Sequence, residues 1–133
     1  MALSDPKLIW PLLFLRFIDD GFGVMKGTNT TAVNYFVNIV NSLVPSIIID
    51  KIEMGGNVVF MDLVIYKGLR FFDQRLLETT LYQKENCMYD YIPFNSDHQS
   101  HILPNFVLGE LKRYVRCCSE EKHFESMKFS FFC

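Results

Sequence analysis

Two adjacent carboxylates, Asp19 and Asp20, stand between two apolar runs, Leu12-Leu13-Phe14-Leu15-Arg16-Phe17-Ile18 and Phe22-Gly23-Val24-Met25. Carboxylate oxygens are the preferred ligands of Mg²⁺, a small hard cation that takes octahedral oxygen coordination. Carboxylates that hold two such ions about 3.5–4 Å apart support phosphoryl transfer, with charge stabilised at both the attacking and the leaving oxygen. Phe17-Ile18-Asp19-Asp20 is therefore the tetrapeptide richest in chemistry. Asp19-Asp20-Gly21 is equally an ordinary turn sequence, because Asp and Gly tolerate positive φ.

A second group is cationic. A helix is expected from about Asn105 to Cys118, with Leu108, Leu111, Val115 and Cys118 on one face and Lys112, Arg113 and Arg116 on the other. Such a basic face could lie against duplex phosphates, which give affinity without sequence choice. Asp97, Glu110, Glu120, Glu121 and Glu125 balance these cations, so a solvated helix face is the competing reading. Lys84, at the end of an expected strand, has the same two readings. His98 and His101 could bind zinc together with Cys87, Cys117 or Cys118, although their spacing matches no zinc pattern and an H-x-x-H loop also serves as a cap. Tyr89, Tyr91 and Phe94 are suited either to base stacking or to aromatic packing.

The elements that must position these groups follow from pattern. Leu12 to Phe17 reads as a buried strand and Phe22 to Met25 as its hairpin partner. Gly21 and Gly23 are expected to loosen that partner. A helix follows from Thr30 to Leu43. Its first turn can be capped by Thr28, Asn29 or Thr30, its apolar stripe is Val33, Phe36, Val37 and Val40, and Pro45 stops it. Ile47 to Glu53 reads as a strand, Gly55-Gly56-Asn57 as a turn, and Val58 to Lys67 as one partner strand, apolar on both parities and so covered on both faces. Gly68 turns the chain, and Leu76 to Gln83 makes a further strand. A frayed helix is expected from Ser119 to Lys128, before an apolar run, Phe129 to Phe132, that reads as the interior of an element.

The 133 residues are half hydrophobic and include 13 Phe, enough for a core and too apolar for a disordered chain. The formal net charge of -2 gives no basic excess, so a nucleic-acid reading must rest on local patterning. The run Leu8 to Leu15 is broken by Pro11 and is too short to span a bilayer; no small-residue cleavage site follows it. Four cysteines without C-x-x-C spacing suit reduced thiols in a nuclear or cytoplasmic setting, not secretion.

The order of these pieces resembles Penelope-like reverse transcriptases, relatives of the telomerase catalytic subunit. Arg16-Phe17-Ile18-Asp19-Asp20 resembles the family's R-Y-I-D-D. Phe60-Met61-Asp62-Leu63 resembles its F-L-D segment, and Leu81-Tyr82-Gln83-Lys84 its L-Y-R-K. Ser96-Asp97-His98-Gln99-Ser100-His101 resembles S-x-H-P-x-H, and Leu111 to Ser119 resembles L-R-R-x-x-R-I-C-S. The departures are Phe17 for Tyr, Gln83 and Glu85 in place of the Arg and Pro of R-K-P, and Gln99 for Pro.

The resemblance implies an α+β chain: a partial antiparallel palm sheet with one packed helix over residues 1–84, then the start of a helical thumb over 85–133. It implies Asp19 and Asp20 as catalytic ligands of Mg²⁺ or Mn²⁺, an RNA template with a DNA primer as partners, and phosphate contacts from Lys84, Lys112, Arg113 and Arg116. The family takes a further Asp from an earlier strand, which is expected upstream of Met1. The polypeptide alone is therefore expected not to polymerise, and its sheet edge to invite association with another chain. The competing readings are a non-catalytic nucleic-acid-binding module derived from the thumb, and a zinc-stabilised interaction domain.

Overall fold

The computed structural model describes residues 10–27, 30–43, 46, 48–84 and 97–132. The chain is α+β, with two antiparallel sheets of two and three strands and four helices among the described residues. It divides into two compact units, Met1–Met54 and Gly55–Cys133. The single expected sheet is thus two sheets, one in each unit. The second unit takes in residues on both sides of position 84. Among the described residues no helix is long and apolar enough to cross a membrane.

In the first unit β1 (Leu13–Phe17) pairs with β2 (Asp20–Val24) in a hairpin with a two-residue loop. The ladder extends one step further through the Leu12 amide, which donates to the Val24 carbonyl at 2.7 Å. β1 was expected to be buried, yet all five of its residues are exposed. Phe14 faces Gly23 across the ladder, and its ring lies where a Cβ at either Gly21 or Gly23 would meet it in van der Waals contact. The glycines therefore do not leave β2 bare: an aromatic ring from the partner strand covers the surface that their side chains lack.

Helix α1 (Thr30–Leu43) has the bounds expected from its apolar stripe. Phe36 and Val37 are buried, with Ala32 as a third core residue the stripe did not include. Phe36 is the contact between helix and hairpin. Phe14 and Trp10 both meet it edge-on, at centroid distances of 5.6 and 5.7 Å, a geometry worth about 0.5–1.5 kcal/mol per pair beyond area burial. Thr28, Asn29 and Pro45 lie outside the described residues.

The strand expected over Ile47 to Glu53 does not form over residues 48–53. The cause is local. The Asn41 side-chain amide accepts from the Ile49 N–H at 2.8 Å and donates to the Ile49 carbonyl at 3.1 Å. Both backbone groups that a neighbouring strand would use at Ile49 are thereby satisfied by one side chain.

In the second unit β3 (Asn57–Phe60), β4 (Leu63–Tyr66) and β5 (Glu78–Leu81) form an antiparallel sheet with β4 in the middle. The expected single strand from Val58 to Lys67 is two strands joined by Met61-Asp62. The register explains the mixed apolar parity. Val58 pairs with Ile65 and Phe60 with Leu63, so residues of opposite parity share one face. Leu81, on β5, is 5% exposed.

Between β4 and β5 lies a short helix the sequence pattern does not announce, α2 (Leu69–Gln74), with Gly68 at its start. Helix α3 (Ile102–Cys117) begins three residues earlier than expected, and α4 (Glu121–Phe132) runs through the terminal Phe-rich segment. The buried face of α3 also differs. Tyr114 is 1% exposed, whereas Leu108 and Val115 are 49% and 60% exposed. Phe131 of α4 packs edge-on to Tyr114 at 6.0 Å and against Phe106 at 6.3 Å. The large amphipathic ring, not the aliphatic stripe, forms the seam between the two helices.

Candidate functional site

The acidic hairpin is built by sterics and one arginine. Phe17 and Asp20 are the closing pair, and Ile18 and Asp19 form the loop. Positive φ falls on Ile18 (52°), not on Asp or Gly. A positive first loop residue matches the right-handed twist of flanking strands, which is why glycine usually stands there. The Arg16 guanidinium Nε donates to the Ile18 carbonyl at 2.9 Å and braces the bend. Arg16 is thus spent on backbone. Asp19 and Asp20 are both exposed, and neither carboxylate has a hydrogen-bonding or ionic partner among the described residues. Two adjacent, unpaired carboxylates on a braced loop fit a hard divalent cation as oxygen donors.

Phe60-Met61-Asp62-Leu63 repeats this geometry in the second unit, with Met61 at φ 56° and Asp62 as the second loop residue. Its carboxylate is engaged: Arg113 of α3 donates through Nη2 to Asp62 Oδ2 at 3.3 Å. Arg113 also donates through Nη1 to Glu110 Oε2 at 3.2 Å. This corrects its placement on a free basic face, because the α3 side that carries Glu110 and Tyr114 also carries Arg113. Exposed pairs of this kind are worth less than about 1 kcal/mol, so Arg113 can be released but does not stand ready.

Lys112 and Arg116 are exposed and have no carboxylate partner among the described residues, and the same is true of Lys84, three residues beyond β5. All four cations belong to the second unit and the Asp19-Asp20 hairpin to the first. His98 and His101 are exposed. Among the described residues no three His, Cys, Asp or Glu side chains converge on a metal-sized site. Cys87, Tyr89, Tyr91 and Phe94 lie outside the described residues. Cys117 and Cys118 are free thiols, and burial pushes the Cys117 thiol up, against thiolate reactivity.

Sequence reasoning passed over Glu78. It begins β5, is 1% exposed, and its Oε1 accepts from the Arg70 backbone N–H at 2.9 Å and from Arg70 Nε at 3.4 Å. The first-turn amides of α2 need an acceptor, and Gly68 has no side chain to supply one. Glu78 supplies it from eight residues away. A Cβ at Gly68 would overlap the Glu78 carboxylate, so only glycine lets the two meet. The second oxygen, Oε2, is buried without a partner among the described residues.

Beside Glu78, Tyr66 donates its hydroxyl to Glu120 Oε1 at 3.1 Å. Burial, then Glu120, pushes the Tyr66 phenol well above its usual range. Lys122, 2.7 Å from Glu120 Oε2, holds the Glu120 carboxyl down at about 2, with help from the Tyr66 hydroxyl. The sequence signal for this cluster is a glutamate opening a Thr- and Leu-rich strand.

Comparison with known protein families, with curated proteins and with solved structures finds no match to this chain.

Proposed function

We propose that the chain is a piece of an RNA-directed DNA polymerase of the Penelope-like type, with palm strands in residues 1–84 and the start of a thumb in 85–133. The observation that carries this reading is the exposed, unpaired Asp19-Asp20 pair, one residue in a two-residue loop braced by Arg16 and the next closing it. The repeat of the same loop geometry at Met61-Asp62, in the second of the family-like motifs, supports it.

Asp19 and Asp20 would hold Mg²⁺ or Mn²⁺, which when bound supplies charge neutralisation around the transferred phosphoryl group. Phe17, directly across the ladder from Asp20, shares its face and fixes where it stands. Lys112 and Arg116, with Lys84, would meet template–primer phosphates, and Arg113 would do so only after leaving Asp62 and Glu110. Phosphoryl transfer depends almost wholly on positioning and charge stabilisation. Two carboxylates on one exposed loop hold ions too loosely for that, so these 133 residues alone bind without extending a primer.

The test is to incubate the chain with a labelled RNA template, a DNA primer, deoxynucleotides and Mg²⁺ or Mn²⁺. The reading expects salt-sensitive binding of the RNA–DNA hybrid and no extension. Absence of hybrid binding overturns the polymerase reading; template-dependent extension overturns the inactivity.

A further inference from the structure

A cation–aromatic–cation stack brackets helix α2. The Lys67 ammonium sits 5.1 Å from the Phe71 ring centre and the Arg75 guanidinium 5.9 Å from it. The cations flank the helix: Lys67 precedes Gly68, whose backbone is extended, and Arg75 is the left-handed residue that ends α2. Neither cation meets a carboxylate among the described residues. Arg70, the third cation of the segment, is instead committed inward, to Glu78 and to the Ser119 carbonyl at 3.3 Å. Phe72 stands edge-on to Phe71 at 5.9 Å and is 69% exposed; Leu69, on the same helix, and Leu76, beyond its end, are also exposed. The segment has three cations against one carboxylate, Asp73, in a chain whose formal net charge is -2.

An open ring, Phe72, next to a ring that holds two cations without carboxylate partners suits a flexible polyanion with flat bases. Every base offers a π-face for stacking, and the flanking charges take phosphates without sequence choice. A bilayer fits less well, because six helical residues give little face to lay into an interface. An apolar protein groove would have to desolvate Lys67 and Arg75. We infer that α2 is a contact platform for single-stranded nucleic acid, with Phe72 stacking on a base and Lys67 and Arg75 meeting the neighbouring phosphates. The platform is fixed in place by Glu78, whose carboxylate holds the first turn of α2. This rests on the nucleic-acid handling proposed above, and adds to it a site and a strand class.

The test measures binding of the full chain to a short single-stranded oligonucleotide and, in parallel, to an RNA–DNA hybrid, across a salt series. Lys67→Gln/Phe72→Ala/Arg75→Gln is compared with wild type and with Lys112→Gln/Arg116→Gln. The triple variant is expected to lose single-strand affinity by about tenfold or more, with the salt slope shallower by about 1.4 for two lost phosphate contacts. Phe72→Trp is expected to keep affinity and to show fluorescence quenched by the bound oligonucleotide. Hybrid binding should fall mainly in the Lys112/Arg116 variant. Unchanged single-strand binding in the triple variant, or no single-strand binding by wild type, overturns the platform. Retained hybrid binding in either case leaves the polymerase reading standing. Binding to anionic vesicles but not to oligonucleotides, lost in Phe72→Ala, also overturns the platform and assigns α2 to a membrane surface.

Discussion

Ile18 and Met61 adopt the same left-handed backbone conformation, φ 52° and 56°, and each opens a two-residue hairpin loop whose second residue is an aspartate. Neither residue type favours that region, and the β-branched Ile18 is the more strained of the two. A left-handed residue costs roughly 1–2 kcal/mol, and glycine gives back about 0.5–1 kcal/mol of chain entropy. Ile18→Gly, at a side chain 73% exposed, should therefore stabilise the first unit by about 0.5–1 kcal/mol. Trp10, the only tryptophan, packs on Phe36 in that unit and reports its urea midpoint by fluorescence. An unchanged or lowered midpoint would mean the loop is not strained at Ile18.

Gly68 and Glu78 form a coupled pair. Gly68→Ala places a methyl inside the Glu78 carboxylate, so this buried side chain must shift and give up its bond to the Arg70 amide. The expected loss is about 1–3 kcal/mol, as for other overpacked sites. Glu78→Ala removes the acceptor for the Arg70 amide and is also destabilising. On that background Gly68→Ala should cost little, giving a strongly non-additive double-mutant cycle. Additive losses would show that the two residues do not meet.

These two pairs mark where sequence reasoning succeeds and where it stops. Helix α1 was legible because its apolar spacing is regular and nothing competes with it. The hairpin at Asp19 was legible from its turn chemistry, but the strained residue, Ile18, was not. The hairpin at Met61-Asp62 was hidden because Asp62 stands alone in an apolar run, without the Gly or Asn that would mark a turn with it, and its paired strands exchange parity. Helix α2 was hidden because its cap, Glu78, is remote. The Ile47 to Glu53 strand was lost to Asn41, a polar helix residue whose side chain bonds both backbone groups of Ile49. Of the candidate residues, the exposure of Asp19, Asp20, Lys112 and Arg116 follows from their charge and spacing. The engagement of Arg113 by Asp62 does not, because it joins residues far apart in sequence.

The Tyr66–Glu120 pair predicts a pH response on both sides. The Glu120 carboxyl is held below its unfolded value by Lys122 first, with the Tyr66 hydroxyl also bonding it. Its contribution is therefore present above about pH 4.5 and lost as the pH falls toward about 2. The Tyr66 phenol is raised by burial first and then by Glu120. The fold thus favours the neutral phenol, and stability falls as pH rises past about 10, where the unfolded chain ionises and the folded one does not. Urea midpoints across pH should show both arms. Glu120→Gln should flatten the acid arm and Tyr66→Phe the alkaline one. Wild-type curves in both variants would contradict the assignment.

Because Arg113 is occupied by Asp62 and Glu110 while Lys112 and Arg116 are not, the three should differ in hybrid binding. Lys112→Ala and Arg116→Ala should each weaken it and each reduce the salt slope by about 0.9. Arg113→Ala should change both much less, and Asp62→Asn should raise affinity by freeing the guanidinium. Equal effects of all three cations, measured by anisotropy over a salt series, would show that the ion pairs do not hold Arg113 back.

The central claim is that Asp19 and Asp20 together hold a divalent cation. The most direct measurement follows the backbone amide NMR spectrum of the full chain as Mn²⁺ is added, in wild type and in Asp19→Asn/Asp20→Asn. The account predicts paramagnetic broadening that begins at Ile18 to Gly21, is reversed by excess Mg²⁺, and is absent at that loop in the double variant. Broadening that begins elsewhere, or that persists at the loop after both carboxylates are removed, would contradict it.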